Sequence, residues 1–127
     1  MFFYNCCHRA SNHFQWQHSA VSASKEYYYI VEEIERTYYV KIFSNSKIVY
    51  VDSEKYRMRD RFHITWDENR DILWIYSSDI GTFCLFIEDG EWVRKYYLDC
   101  LGKGFDLPKI FLEMYPNSHP VGSDGEL

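Results

Sequence analysis

Arg57, Arg59, Arg61 and His63 recur at every second position, a row of guanidinium groups ending in an imidazole. Residues two apart share one side of an extended strand, and guanidinium groups bind carboxylates and phosphates in bidentate fashion. The segment from Lys55 to Trp66 therefore reads as a half-buried strand. Its outer side carries Lys55, Arg57, Arg59, Arg61, His63 and Thr65, and its inner side Tyr56, Met58, Asp60, Phe62, Ile64 and Trp66. On a helix the same residues would scatter around the circumference. Like charges spaced about 7 Å apart repel one another. Three arrangements offset that cost: an internal ladder with Glu32, Glu33, Glu35, Asp52 and Glu54, an anionic protein partner, or a nucleic acid or small anion. A plainer use also exists, since charge on the exposed side of a strand deters edge-to-edge aggregation.

Neighbouring positive charge favours the neutral form of His63, which is the form a general base needs. No nucleophile or orienting carboxylate accompanies it in the sequence, so the imidazole reads as a surface or partner-facing group. Glu88, Asp89 and Glu91 form a competing acidic edge, suited to a basic partner, although acids at turns also serve ordinary solubility. Ser77-Ser78-Asp79 has the composition of a turn rather than of a serine nucleophile. There is no Gly-rich phosphate loop, no His-Glu-x-x-His, no Gly-x-Ser-x-Gly elbow and no repeated CxxC. His8, His13 and His18 recur at intervals that converge on neither a helix face nor a strand side. No enzyme activity, metal or cofactor is expected.

The chain has 127 residues, 46% hydrophobic and 20% aromatic content, and a formal net charge of −5. Its length suits one domain and its aromatic content a packed one. The acidic balance argues against a dedicated duplex-DNA binder and fits a protein partner better. Twelve tyrosines exceed what a small core accommodates with every hydroxyl satisfied, and tyrosine is enriched in binding surfaces. No apolar run is long enough to span a membrane. Met1 to Ala10 lacks the pattern of an export signal, so a cytoplasmic location is the expectation.

From Tyr27 onward, β-branched and aromatic runs alternate with polar breaks, the spacing of consecutive antiparallel strands. Strands are expected at 27–34, 37–43, 47–52, 55–66, 71–78, 82–88 and 91–98. The first also matches a helical stripe, but three successive tyrosines favour a strand. Turns are expected at Glu35-Arg36, Ser44-Asn45-Ser46, Asp67 to Arg70, Asp79-Ile80-Gly81 and Asp89-Gly90. A two-residue turn at Asp89-Gly90 pairs Glu88 with Glu91, Phe86 with Val93 and Cys84 with Lys95. Phe83, Leu85 and Ile87 then lie beside Tyr96, Arg94 and Trp92 on the core face. The unbroken apolar run from Ile72 to Tyr76 predicts a central strand covered on both sides.

Cys6 and Cys7 are adjacent and do not have zinc-site spacing. In the same register, Cys100 falls about 17 Å beyond the residue opposite Cys84, whereas a disulfide tolerates about 7 Å between α-carbons. That pair bonds only if the chain doubles back after Leu98, so reduced thiols are expected. The fold class is mainly β (β-rich α+β), an antiparallel meander or barrel-like sheet with one short C-terminal helix at 107–114. Residues 1–25 form an N-terminal arm, 26–115 the single β-rich domain and 116–127 a disordered tail.

The segment Trp74-Ile75-Tyr76-Ser77-Ser78-Asp79-Ile80-Gly81-Thr82-Phe83, followed by Gly90-Glu91-Trp92, resembles the aromatic hairpins of small bacterial toxin-immunity-type proteins. The resemblance covers residues 74–92 and implies a binding role without assigning contact residues. Together these readings point to a non-enzymatic protein-binding module, an immunity-type inhibitor that masks a toxin or enzyme active site. The expected contacts are Arg57, Arg59, Arg61 and His63, or alternatively Glu88, Asp89 and Glu91. The competing possibilities are a small-ligand barrel with a cavity lined by Trp66, Trp74 and Trp92, and a small enzyme using His63 as base.

Overall fold

Three two-residue turns set the topology, because each closes a hairpin with both central residues in the left-handed region. They are Glu35-Arg36 (φ 50° and 64°), Asn45-Ser46 (51° and 68°) and Asp89-Gly90 (54° and 82°). This geometry matches the right-handed twist of the flanking strands. Gly90 takes it without steric cost; the other turns hold non-glycine residues there.

A computed structural model describes residues 14–15 and 21–114. The strands are β1 Phe14–Gln15, β2 Tyr28–Ile34, β3 Thr37–Ser44, β4 Lys47–Arg57, β5 Phe62–Trp66, β6 Leu73–Ser77, β7 Gly81–Glu88 and β8 Glu91–Tyr96. Two short helices follow, α1 Tyr97–Gly102 and α2 Lys109–Met114. The protein is mainly β, with two antiparallel sheets that do not close into a barrel. One sheet has the order β2-β3-β4 and the other β1-β5-β6-β7-β8, where the short β1 joins β5 in parallel. Of the strand expected at 27–34, Tyr28–Ile34 is strand and Tyr27 lies just before it. The expectations for Cys6, Cys7, His8, His13, His18 and the tail at 116–127 lie outside the described residues.

The segment 55–66 is not one strand. β4 begins at Lys47, runs through Asp52-Ser53-Glu54 and stops at Arg57, while β5 starts at Phe62 in the other sheet. The break is a turn closed by the Asp60 amide donating to the Arg57 carbonyl (3.1 Å) and the Met58 amide donating to the Arg36 carbonyl (3.0 Å). Arg59 and Arg61 are exposed because they flank this turn, so the alternation continued across it with no strand beneath. From Phe62 every residue to Trp66 is buried, which suits a strand covered on both faces.

β5, β6 and β7 are the middle layer. Phe62, Ile64, Leu73, Ile75, Phe83 and Leu85 point toward the three-stranded sheet and meet Tyr29, Val31, Tyr38, Val40 and Tyr56. Trp74, Tyr76, Cys84 and Phe86 point the other way, against Tyr97, Cys100, Leu107 and Phe111 of the helical layer. The β7–β8 register is the one read from the sequence: Glu88 opposite Glu91, Phe86 opposite Val93 and Cys84 opposite Lys95. β8 ends at Tyr96 rather than running to 98, because the chain turns back there into α1. That reversal brings Cys100 to 6.6 Å from Cys84 between α-carbons, and the two form a disulfide. The expectation of reduced thiols rested on an extended chain and is overturned.

Candidate functional site

The proposed contact residues separate into different environments. Arg57 extends from the end of β4 and makes ion pairs with Asp60 (2.8 Å) and Asp79 (3.1 Å). The bond to Asp60, opposed by desolvation and helped by both acids' charge, raises the Arg57 pKa. Arg59 and Arg61 lie exposed at the turn, where the Arg61 amide donates to Ser78 Oγ at 2.9 Å. His63 has no exposed surface (0%), and its ring lies 5.3 Å from Phe111. Burial lowers its pKa to about 4. The imidazole is thus neutral, as expected, but through desolvation rather than neighbouring charge. It faces the helical layer and not a partner, so the surface reading of His63 is corrected. Ser77 plays the turn role, its Oγ accepting from the Asp79 amide (3.1 Å) and the Ile80 amide (3.3 Å).

Glu88, Asp89 and Glu91 sit at the opposite end of the five-stranded sheet from the Arg57–Arg61 turn, since Phe62 pairs with Ser77 at one end and Glu88 with Glu91 at the other. Basic and acidic candidates therefore form no common site. Glu88 pairs with Lys103. Asp89 occupies the turn, and Glu91 stands exposed beside it.

β4 carries the most informative surface. Its register against β3 shifts twice: Tyr39 faces Lys55 while Lys41 faces Val51, and Ile42 faces Tyr50 while Phe43 faces Ile48. The extra residues form bulges. Outward from the sheet point Val51, Lys55 and Arg57, with Ile48 and Val49 both exposed at the second bulge. Ile48 and Val51 are each 52% exposed and Val49 40%. Half-buried Phe43 stacks on Tyr28 beside them (5.4 Å between centroids), and Lys41 pairs with Glu32 at 2.9 Å. An apolar surface bordered by Lys55 and Arg57 results, a layout that excludes water at its centre and selects charge at its rim.

On the inner side, the first bulge turns Asp52 into the gap between the sheets. Asp52 accepts a hydrogen bond from the Tyr56 hydroxyl and lies 3.2 Å from Arg94 Nε, while Glu54 lies 3.7 Å from Arg94 Nη2. The guanidinium carbon is 3.9 Å from the Phe83 ring centroid and 5.3 Å from that of Tyr96. Burial raises the Asp52 pKa against the opposing pull of Tyr56 and Arg94. The Tyr56 hydroxyl is pushed far up by burial and by Asp52. For Arg94 burial acts downward, but Asp52, Tyr56, Tyr96 and Glu54 outweigh it and raise the pKa. Thus Asp52 and Glu54 answer a cation inside the core rather than the stripe outside it. Arg94 was already placed on the core face by the hairpin register, and a buried cation demands a counter-ion; its identity depended on a bulge that no local pattern announced.

The three tryptophans suggested for one cavity do not share one. Trp74 belongs to the helical side of the middle sheet, Trp66 and Trp92 to the other. A cleft of about 490 Å³ does open between the sheet ends, walled by Tyr27, Tyr50 and Trp92 with Glu26 and Glu91 at its mouth. Tyr27 meets Trp92 edge-to-face at 5.2 Å (88°), and Tyr50 lies 6.4 Å from Trp92 at 37°. Among the described residues, no helix is long and apolar enough to cross a membrane, and no group of three or more His, Cys, Asp and Glu could hold a metal ion. No protein-family model, curated protein or solved structure matches the chain.

Proposed function

We propose that this protein is a non-enzymatic protein-binding module whose contact surface is the outer face of the β2-β3-β4 sheet. The observation that carries this reading is the exposure of Ile48, Val49 and Val51 on β4 beside the exposed cation Lys55, with Arg57 at the strand end already paired to Asp60 and Asp79. On the inner face of the same sheet Tyr38, Val40 and Ile42 are fully buried. Such an arrangement suits a partner with an apolar contact patch and an acidic margin. Part of the basic stripe read from the sequence is retained in it: Lys55 and Arg57 border the patch, Arg59 and Arg61 extend beyond the strand end, and His63 takes no part.

Inhibition by masking a toxin or enzyme active site is the purpose we favour for this docking, supported by the resemblance of residues 74–92 to immunity-type hairpins. The Cys84–Cys100 disulfide favours an oxidising compartment over the cytoplasmic setting expected from the sequence. The test is an Ile48→Glu/Val51→Glu variant and, separately, Lys55→Glu. All three positions are exposed, so stability should move little, by about 0.5 kcal/mol or less per site. A partner captured by crosslinking and then reconstituted in purified form should lose binding to the first variant and associate more slowly with the second. Undiminished binding of both would remove this face from the interface. Concentration-dependent self-association abolished by the same changes would assign the face to a second copy instead.

A further inference from the structure

We propose that the cleft walled by Tyr27, Tyr50 and Trp92 binds an alkylammonium cation, a methylated ammonium head in preference to a bare one. The inference rests on the aromatic rings rather than on the docking face, with which the cleft shares Val49 at the second bulge of β4.

Ring faces carry negative electrostatic potential, and tryptophan is the strongest such host. All three rings line the cleft, Tyr27 and Trp92 meeting edge-to-face at 88° and Tyr50 and Trp92 tilted at 37°. The carboxylates at the mouth, Glu26 and Glu91, are exposed, and no lysine or arginine lines the cleft. Trp66 backs Trp92 at 6.4 Å and holds it in place. Both Tyr27 and Tyr50 have hydroxyl pKa values raised by burial first and by a nearby acid second, Glu26 and Asp52 respectively, with Arg94 pulling Tyr50 the other way; the phenols remain neutral hosts. A bare ammonium is strongly hydrated and would surrender hydrogen bonds that ring faces do not replace. Methyl groups remove that cost while retaining the charge.

The test follows the Trp92 indole N–H resonance of the isotope-labelled full chain during titration at constant ionic strength. Four probes are added separately: choline, its neutral carbon isostere dimethylbutanol, trimethyl-lysine amide and lysine amide. Choline and trimethyl-lysine amide should saturate with dissociation constants in the roughly millimolar range, and the neutral isostere and lysine amide should bind at least about fivefold more weakly. Tighter binding of trimethyl-lysine amide than of choline would identify a modified peptide as the source; the reverse order would identify a free small molecule. A Glu26→Gln/Glu91→Gln variant, altered only at exposed positions, should weaken choline binding roughly threefold to tenfold with the remaining spectrum preserved. Trp92→Leu should weaken it further, and where that variant loses its fold the paired glutamine variant decides. The proposal is overturned by absence of a saturable choline response, by equal binding of the neutral isostere, or by unchanged affinity in the paired glutamine variant.

Discussion

Acid should destabilise this protein through His63, the imidazole buried among the described residues. The folded state holds it neutral, with its pKa lowered by burial from 6.5 to about 4, and the unfolded chain restores the ordinary value. Between those limits the unfolded state binds a proton that the folded state refuses. Stability is therefore fully present above about pH 6.5 and is lost as the pH falls toward about 4. The whole window is worth about 3 kcal/mol, with a slope near 1.4 kcal/mol per pH unit in its middle. Asp52 acts with the opposite sign: its carboxyl is raised by burial, so its protonation at lower pH favours the folded form. The two are separated by a His63→Phe variant, which keeps a ring against Phe111 and cannot titrate. Overpacking in that variant costs about 1–3 kcal/mol but does so equally at every pH. Urea unfolding of both proteins across the window should show the wild type losing stability relative to the variant as pH falls. Parallel profiles would refute the argument, since they would mean that His63 accepts its proton without leaving the folded state.

Two further perturbations test the interior. Replacing Cys84 and Cys100 with serine, or adding reductant, should lower unfolding free energy by about 3 kcal/mol, given their separation of 16 residues; an unchanged denaturant midpoint would show that the crosslink does not constrain the unfolded chain. Arg94→Met should cost about 3–5 kcal/mol because it strands the Asp52 carboxylate between the sheets. Adding Asp52→Asn should recover most of that loss in calorimetry, and a strictly additive double variant would deny the coupling.

Much of the middle layer was legible because its signals are local. Asp89-Gly90 specifies both a turn type and, through it, every pair along β7 and β8. The Ile72–Tyr76 run announced a strand buried on both faces, and β6 is one. The segment 55–66 misled for an equally physical reason: period-two exposure is shared by a strand and by a turn whose arginines simply point into water. The sequence carried no local sign of the change, because buried His63 and Thr65 continue the polar alternation within β5. The disulfide was missed because β8 yields to a helix at Tyr97, where Tyr97 and Cys100, one helical turn apart, both pack onto the sheet. The aromatic cleft draws on β4, β8 and the residue before β2, a convergence that exists only once the sheets face each other.

The bulges in β4 connect stability with recognition. Opposite Val40 the strand carries extra residues, and this slack lets Asp52 and Glu54 reach inward to Arg94 while Val51 and Lys55 remain outward. A regular strand would place fewer residues in the same span and could not serve both faces so densely. Because the inward acids are spent on Arg94, they do not neutralise Lys55 on the outer face. The cationic border of the proposed docking surface thus depends on a buried counter-ion arrangement on the reverse side of the same strand. Arg94→Met has a second consequence on this account: relief of the inward pairing should loosen the bulge first, so hydrogen exchange should accelerate at Asp52-Ser53-Glu54 before it does in β6.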